Sequence, residues 1–111
     1  MSELPATARE LILNLPERFK QDEAGDFSAR VHLTLEGEGG GNFTVVIHEG
    51  KCDVEEGLKG VPDCVVRSKA STYLDAETGK LNPTMAVMMG KIKVSNIGVM
   101  SQFITKFKRF S

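Results

Sequence analysis

Few side chains in this sequence have both the chemistry and the spacing that catalysis needs. His32 and His48 fall on the polar side of two neighbouring predicted strands, and two histidines without a third ligand are weak evidence for zinc. Cys52 and Cys64 have no flanking base, and the Gly-x-Ser-x-Gly motif of many serine hydrolases is absent from the sequence. Most Asp and Glu residues occupy turns or polar faces, where they are ordinarily solvated. The sequence therefore predicts no catalytic residue, no metal site and no cofactor.

The cysteines and the glycine-rich run at residues 37–41 have structural interpretations instead. Apolar and polar residues alternate around each cysteine, and a reducing compartment favours free, buried thiols over a disulfide. The glycine run joins two alternating segments and does not lead into a helix beginning with Lys-Ser or Lys-Thr. We therefore expect a hairpin turn at this run and not a phosphate-binding loop.

The composition is typical of one soluble domain spanning residues 1–111. Hydrophobic residues make up 41% of the chain and charged residues 26%, an ordinary balance for a globular protein. The net charge of −1, without a long Lys/Arg run, argues against nucleic acid as a partner. The N-terminus lacks the pattern of a secretory signal, and no apolar run is long enough for a transmembrane helix. The ending Arg109-Phe110-Ser111 is not a peroxisomal address, so we expect a cytoplasmic protein.

The spacing of apolar residues predicts an α+β domain. Helical spacing runs from Leu4 to Phe19, with Ser2 as the N-cap and Pro16 bending or ending the first helix. The predicted strands then cover residues 27–35, 43–48, 51–56, 63–68 and 91–94, and the predicted helices cover residues 70–78, 83–89 and 97–110. Asn82 and Pro83 suit the first positions of the middle one of these helices. Since most strands have one polar face, helices should cover only one side of the sheet.

Flexible and aromatic apolar side chains are concentrated in the last third of the chain. They are Met85, Val87, Met88, Met89, Met100, Phe103, Ile104, Phe107 and Phe110. A stripe of this kind at helical spacing is typical of an ordinary core. Methionine is also unbranched and polarisable, and it suits walls that adapt to ligands of different shape. The pattern alone leaves a filled core and a ligand cavity as alternatives.

Four stretches of the sequence carry a resemblance to a known family. They are Leu15-Pro16-Glu17-Arg18-Phe19, the glycine run leading into Val45-Val46-Ile47, Glu49-Gly50-Lys51-Cys52, and Thr78-Gly79-Lys80-Leu81-Asn82 through Met85-Ala86 to Gly90-Lys91-Ile92-Lys93-Val94. In these stretches the sequence resembles the sterol carrier protein 2 family. The resemblance extends from about Leu4 to Phe107, in the order of elements that the periodicity predicts.

The resemblance implies a fold and a class of ligand. The fold is a mixed, mostly antiparallel five-stranded sheet of order 3-2-1-4-5, with helices on one face and an apolar tunnel between sheet and helices. Cys52 and Cys64 would then lie on strands that are not neighbours. The implied ligands are sterols, fatty acids, fatty acyl-CoA and similar lipids. The expected ligand-binding residues are Phe27, Val31, Leu33, Val45, Ile47, Met85, Met88, Met89, Met100, Phe103, Ile104 and Phe107.

The end of the last predicted helix has a basic amphipathic character. Lys106, Lys108 and Arg109 alternate with phenylalanines, so we expect these cations and Phe110 to make transient contact with an anionic membrane surface. The alternative is that the cations only solvate the helix and complement its dipole. The alternative to lipid transfer as a whole is an interaction or dimerisation module of the same fold, with a cavity filled by side chains. The oligomeric state and the physiological ligand are not predicted.

Overall fold

The computed structural model describes residues 5–108, in which five strands form one sheet and six helices accompany it. The strands are β1 (Ala29–Glu36), β2 (Gly41–His48), β3 (Lys51–Glu56), β4 (Cys64–Lys69) and β5 (Ile92–Val94). The helices are α1 (Ala8–Leu13), α2 (Leu15–Arg18), α3 (Gln21–Ala24), α4 (Ala70–Glu77), α5 (Pro83–Met88) and α6 (Ile97–Ile104). The predicted α+β class and every predicted strand are confirmed.

The strand order is β3-β2-β1-β4-β5, as the resemblance implies. The first three strands form an antiparallel meander, β4 pairs with β1 in parallel, and β5 pairs with β4 antiparallel. Because a parallel pair cannot be joined by a tight hairpin, the chain has to travel from the β3 edge to the far side of β1. Residues 57–63 make that connection and cross the polar face of the sheet.

The face of β1 and β2 that carries the helices is strictly apolar. Alternate residues of these strands are fully buried, and the register places Val31 opposite Val45 and Leu33 opposite Phe43. The helices lie over this face, with α4 against β1 and β4, α5 against β5, α6 against β4, and α2 against β3. The alternation that predicted these strands is therefore the alternation that forms the core.

The opposite face of the sheet is more covered than the sequence predicts. The connection at residues 57–63 lies over it, and His32 is buried there with its Nε2 atom 2.8 Å from the carbonyl oxygen of Lys59. The Thr44 hydroxyl donates to the carbonyl of Gly57 at 2.7 Å and accepts from the amide of Lys59 at 2.9 Å. His32 thus lies on the polar side of its strand as predicted, but the crossover buries it there.

The first and last helices are shorter than predicted. The first described helix begins at Ala8, and its N-cap is Thr7, whose hydroxyl accepts from the amide of Glu10 at 3.1 Å; Ser2 and Leu4 lie outside the described residues. A further short helix, α3, has no counterpart among the predicted elements.

The last helix ends at Ile104 and does not continue through residue 110. Beyond it, Phe107 forms a β-bridge with Phe19, so the backbone there pairs with another segment.

Gly40 offers a test of the turn between β1 and β2. A side chain at this position would overlap the carbonyl oxygen of Leu35 and lie 3.1 Å from the Cβ atom of Ala70. We expect Gly40→Ala to destabilise the fold by about 2 kcal/mol, seen as a lower Tm in thermal denaturation. Gly98→Ala is the matched control, because α6 leaves room there and alanine is the better helix former. Equal melting of both variants would contradict the tight turn.

Cys52 and Cys64 are free thiols on strands that are not neighbours. Burial, helped by the Asp53 charge, raises the pKa of Cys52 to about 12. Thiolate at that site is then about a thousandfold scarcer than at an ordinary cysteine, since each pKa unit is a factor of ten. We expect iodoacetamide to modify Cys52 slowly in the folded protein at mildly basic pH and rapidly in guanidinium chloride, as read by mass spectrometry. Equal rates in both states would contradict the burial of this thiol.

Candidate functional site

The predicted ligand-binding residues on the sheet lie together beneath the helices. Val31, Leu33, Val45 and Ile47 have no exposed surface, and all four belong to one buried apolar cluster. Phe27, which precedes β1, is half-buried against the same cluster. A ligand can therefore reach the four strand residues only if the helices above them move outward.

The three methionines predicted on α5 lie on its outer side. Asn82 caps this helix by accepting from the amides of Thr84 and Met85, and Ala86 is the residue buried against the core. Met85, Met88 and Met89 follow at i, i+3 and i+4 and form one stripe, with exposed fractions of 48%, 76% and 60%. The periodic spacing is as predicted, but the stripe faces away from the sheet because Ala86 occupies the inner side.

The last helix, α6, has an inner and an outer apolar side. Asn96 caps it by accepting from the amide of Val99 at 3.1 Å. Phe103 is buried and Met100 is half-buried against the core, whereas Ile97 and Ile104 are exposed. Two of the predicted ligand-binding residues on this helix therefore contact the core and the third, Ile104, points outward. Ile97 was absent from the predicted site, although its spacing to Ile104 places both on one helical side.

An aromatic cluster fixes the segment that follows α6. Phe107 is buried, and its ring centroid lies 5.0 Å from that of Phe103 and 5.7 Å from that of Phe19. The amide of Lys20 donates to the carbonyl of Lys106, at 2.7 Å. Phe107 therefore acts as an anchor for the end of α6.

Arg18 binds the backbone of the same segment. Its Nη1 group donates to the carbonyl of Lys108 at 2.9 Å, the Lys108 amide donates to the Arg18 carbonyl at 2.7 Å, and its Nη2 atom lies 4.0 Å from Glu77. Burial lowers the pKa of Arg18, and the Glu77 charge opposes that shift. Burial, with the neighbouring Glu77, raises the pKa of Tyr73 well above its ordinary value. The sequence indicates Arg18 only as part of a family motif, and its role in joining α2, α4 and the last segment depends on the tertiary structure.

Two of the predicted membrane-contact residues, Lys106 and Lys108, lie at this end of the molecule. Lys106 has its Nζ atom 5.4 Å from the centroid of the Phe27 ring, and Lys108 is exposed. Arg109 and Phe110 lie outside the described residues. Membrane contact through this end stays a prediction.

The two histidines make structural contacts within the described residues. His48 lies 3.4 Å from the Ser28 hydroxyl, and His32 is held by the crossover described above. Among residues 5–108 no group of three or more His, Cys, Asp or Glu side chains could hold a metal ion. In the same part of the chain, none of the helices combines the length and hydropathy needed to cross a bilayer.

Solved structures of three proteins share this fold. The stereoselective inverting sec-alkylsulfatase Pisa1 from Pseudomonas sp. matches 93% of this chain with a TM-score of 0.80 and 17% identity, but the chain spans only 16% of that enzyme. The sterol carrier protein domain 2 of Helicoverpa armigera matches 87% of this chain and 80% of its own, with a TM-score of 0.64 and 24% identity. Sterol carrier protein 2 like 2 from Aedes aegypti matches 87% of this chain and 89% of its own, with a TM-score of 0.65 and 16% identity.

Sequence comparison assigns the family. No curated protein matches the chain significantly. The family model of the SCP-2 sterol transfer family matches residues 10–108, which include all five strands and the helices that cover them, from within α1 to the Phe107 anchor. The chain therefore belongs to the SCP-2 sterol transfer family.

Proposed function

We propose that this protein binds and transfers apolar ligands without catalysing a reaction, and that the ligand lies between the sheet and helices α5 and α6. The observation that carries the proposal is the apolar surface of these two helices. It grades from the exposed Met88 and Ile104 through the half-buried Met100 to the buried Phe103. The methionine stripe of α5 is a run of large exposed apolar side chains, and such a patch on a small protein indicates a binding surface.

The lengths of α5 and α6 support a helix layer that moves. These helices have 6 and 8 residues, and helices this short owe most of their stability to tertiary packing. Outward movement of α5 and α6 would uncover the apolar face of β4 and β5, next to Val31 and Leu33 on β1. Val45 and Ile47 on β2 lie one strand further from these helices. The exposed methionines could then turn inward and cover it, because their unbranched side chains repack easily.

The energetics favour exchange over permanent binding. A lipid that hides about 400 Å² of apolar surface gains on the order of 10 kcal/mol before ordering costs are subtracted. A bilayer offers nearly the same gain to the same ligand. The preference of the ligand for the protein is then small, which allows loading and unloading.

The family description and the fold support a lipid as the ligand, and we propose sterols, fatty acids, fatty acyl-CoA or similar molecules. Apolar pockets discriminate weakly between chains that differ by a methylene, so we propose loose specificity. We propose the cytoplasm as the compartment, where the two cysteines, on strands that are not neighbours, would stay reduced.

One observation favours a second candidate, an interaction or dimerisation module with a filled core. The inner side chains of β1 and β2 are fully buried, so they contact protein atoms in this structure. In that case the stripe of α5 and the exposed side of α6 would contact a protein partner. Native mass spectrometry of freshly purified protein separates the candidates, since a carrier retains lipid and a module shows an oligomer without lipid.

Displacement of a fluorescent fatty acid tests the carrier proposal directly. Met100→Gln and Met88→Gln each remove apolar contact with a ligand under the helices. Losing about 40 Å² of such contact costs about 1 kcal/mol, so we expect the Kd of the probe to rise about fivefold in each variant.

Val61→Gln is the matched control for these variants. Val61 is 83% exposed in the crossover on the opposite face of the sheet, and the same change there should leave the Kd unchanged. Failure of the wild-type protein to bind the probe, together with lipid-free protein in native mass spectrometry, would exclude the carrier function.

A further inference from the structure

The methionine stripe of α5, formed by Met85, Met88 and Met89, is a group of oxidisable side chains on the surface. It holds three of the five methionines of the chain, and Met88 is 76% exposed. The other large exposed apolar side chains among residues 5–108 belong to leucine, valine and isoleucine, which carry no sulfur. A thioether accepts an oxygen atom from a peroxide and becomes a sulfoxide. The stripe is therefore the part of the exposed apolar surface that an oxidant in water can change chemically.

The other sulfur atoms of the described residues are less accessible to an oxidant. Met100 is half-buried against the core, and Cys64 is fully buried. Cys52 is half-buried, and its raised pKa keeps it as a thiol, which peroxide attacks far more slowly than a thiolate. The sulfur atoms that peroxide meets first are therefore those of the stripe.

The main contacts that hold α5 on the sheet come from the backbone and from residues outside the stripe. Ala86 has no exposed surface, and Val87 is half-buried against the core. Asn82 caps the start of the helix. At its end, the Gly90 amide donates to the Val87 carbonyl at 3.1 Å, and the Lys91 amide donates to the Ala86 carbonyl at 2.9 Å. Oxidation of the stripe leaves these contacts intact, so α5 stays packed on β5.

Oxidation changes the stripe from apolar to polar. One oxygen atom of hydrogen peroxide passes to the thioether sulfur, the O–O bond breaks, an S–O bond forms, and the other oxygen leaves as water. Sulfur loses two electrons, and the peroxide is reduced by them. In the ligand-free protein the new oxygen faces water. When the stripe covers an apolar ligand, the same oxygen leaves water without gaining a hydrogen-bond donor, which is unfavourable.

We propose that Met85, Met88 and Met89 are a redox modification site, at which peroxide lowers the affinity for the apolar ligand and leaves the fold intact. The inference rests on the proposed function and adds its regulation, because the stripe is the part of the helix layer that would close over the ligand. The modification is reversible, since methionine sulfoxide reductases return the sulfoxide to the thioether. The carrier would then release its ligand when peroxide is present and bind it again after reduction.

Limited oxidation of the full chain by hydrogen peroxide tests the site. Peptide mapping by mass spectrometry should show sulfoxide first at Met88, then at Met89 and Met85, in the order of their exposure, and last at Met100. After the peroxide is removed, we expect the Kd of the fluorescent fatty acid to rise about tenfold or more, the effect of burying one unpaired polar oxygen. The Tm should stay as in the untreated protein, and a methionine sulfoxide reductase should restore the Kd.

Two leucine variants localise the effect. M85L/M88L/M89L keeps the apolar character and approximate volume of the stripe without its sulfur. Whatever the Kd of this variant before treatment, peroxide should leave that Kd unchanged. M100L is the matched control, because it removes the sulfur of α6 and keeps the stripe, so peroxide should still raise its Kd about tenfold.

The outcomes separate this inference from the carrier function. If the untreated protein binds the probe and oxidation of the whole stripe leaves the Kd unchanged, the inference is overturned and the carrier function stands. Peroxide sensitivity that persists in M85L/M88L/M89L, or that comes with a lower Tm, overturns it as well, since the loss then arises elsewhere or from unfolding. If the untreated protein does not bind the probe, the carrier function itself fails, and the inference fails with it.

Discussion

The parallel pairing of β1 with β4 is the constraint on which the rest of the structure depends. It requires a crossover from β3 to β4, which residues 57–63 make across the polar face, where Thr44 and His32 hold it by hydrogen bonds. The chain after β4 is then free to build its helices on the other face only. All of α4, α5 and α6 consequently cover the half of the sheet formed by β1, β4 and β5.

This arrangement divides the apolar side chains into two groups with different properties. The inner residues of β1 and β2 are fully buried in a continuous sheet, and their positions are fixed by strand register. The apolar residues of α5 and α6 are only partly covered and belong to short helices. Local stability follows packing, so the helix layer is the part of the protein expected to open first.

The two ends of the helix layer are held differently. At one end, Phe103 and Phe107 pack with Phe19, and Arg18 binds the backbone of the following segment. At the other end, the methionine stripe of α5 is exposed and Ala86 is the residue that packs inward. Under the proposed function, the aromatic end keeps the helix layer attached while the methionine end moves to admit the ligand. Anchoring and loading would then use different physical interactions and could be altered separately by mutation.

The sequence by itself determined the strands, most helices and the family, because alternation, caps and turn residues act over a few neighbouring positions. Asn82 and Pro83 start α5 as predicted, and the glycine run turns between β1 and β2. Only the tertiary structure decided that the methionines of α5 face outward, since helical spacing defines a stripe and not its direction. Arg67 and Lys93 are far apart in the chain, and sheet register alone makes them neighbours. The helix layer and the strand register thus arise from contacts between distant segments, which local patterns do not encode.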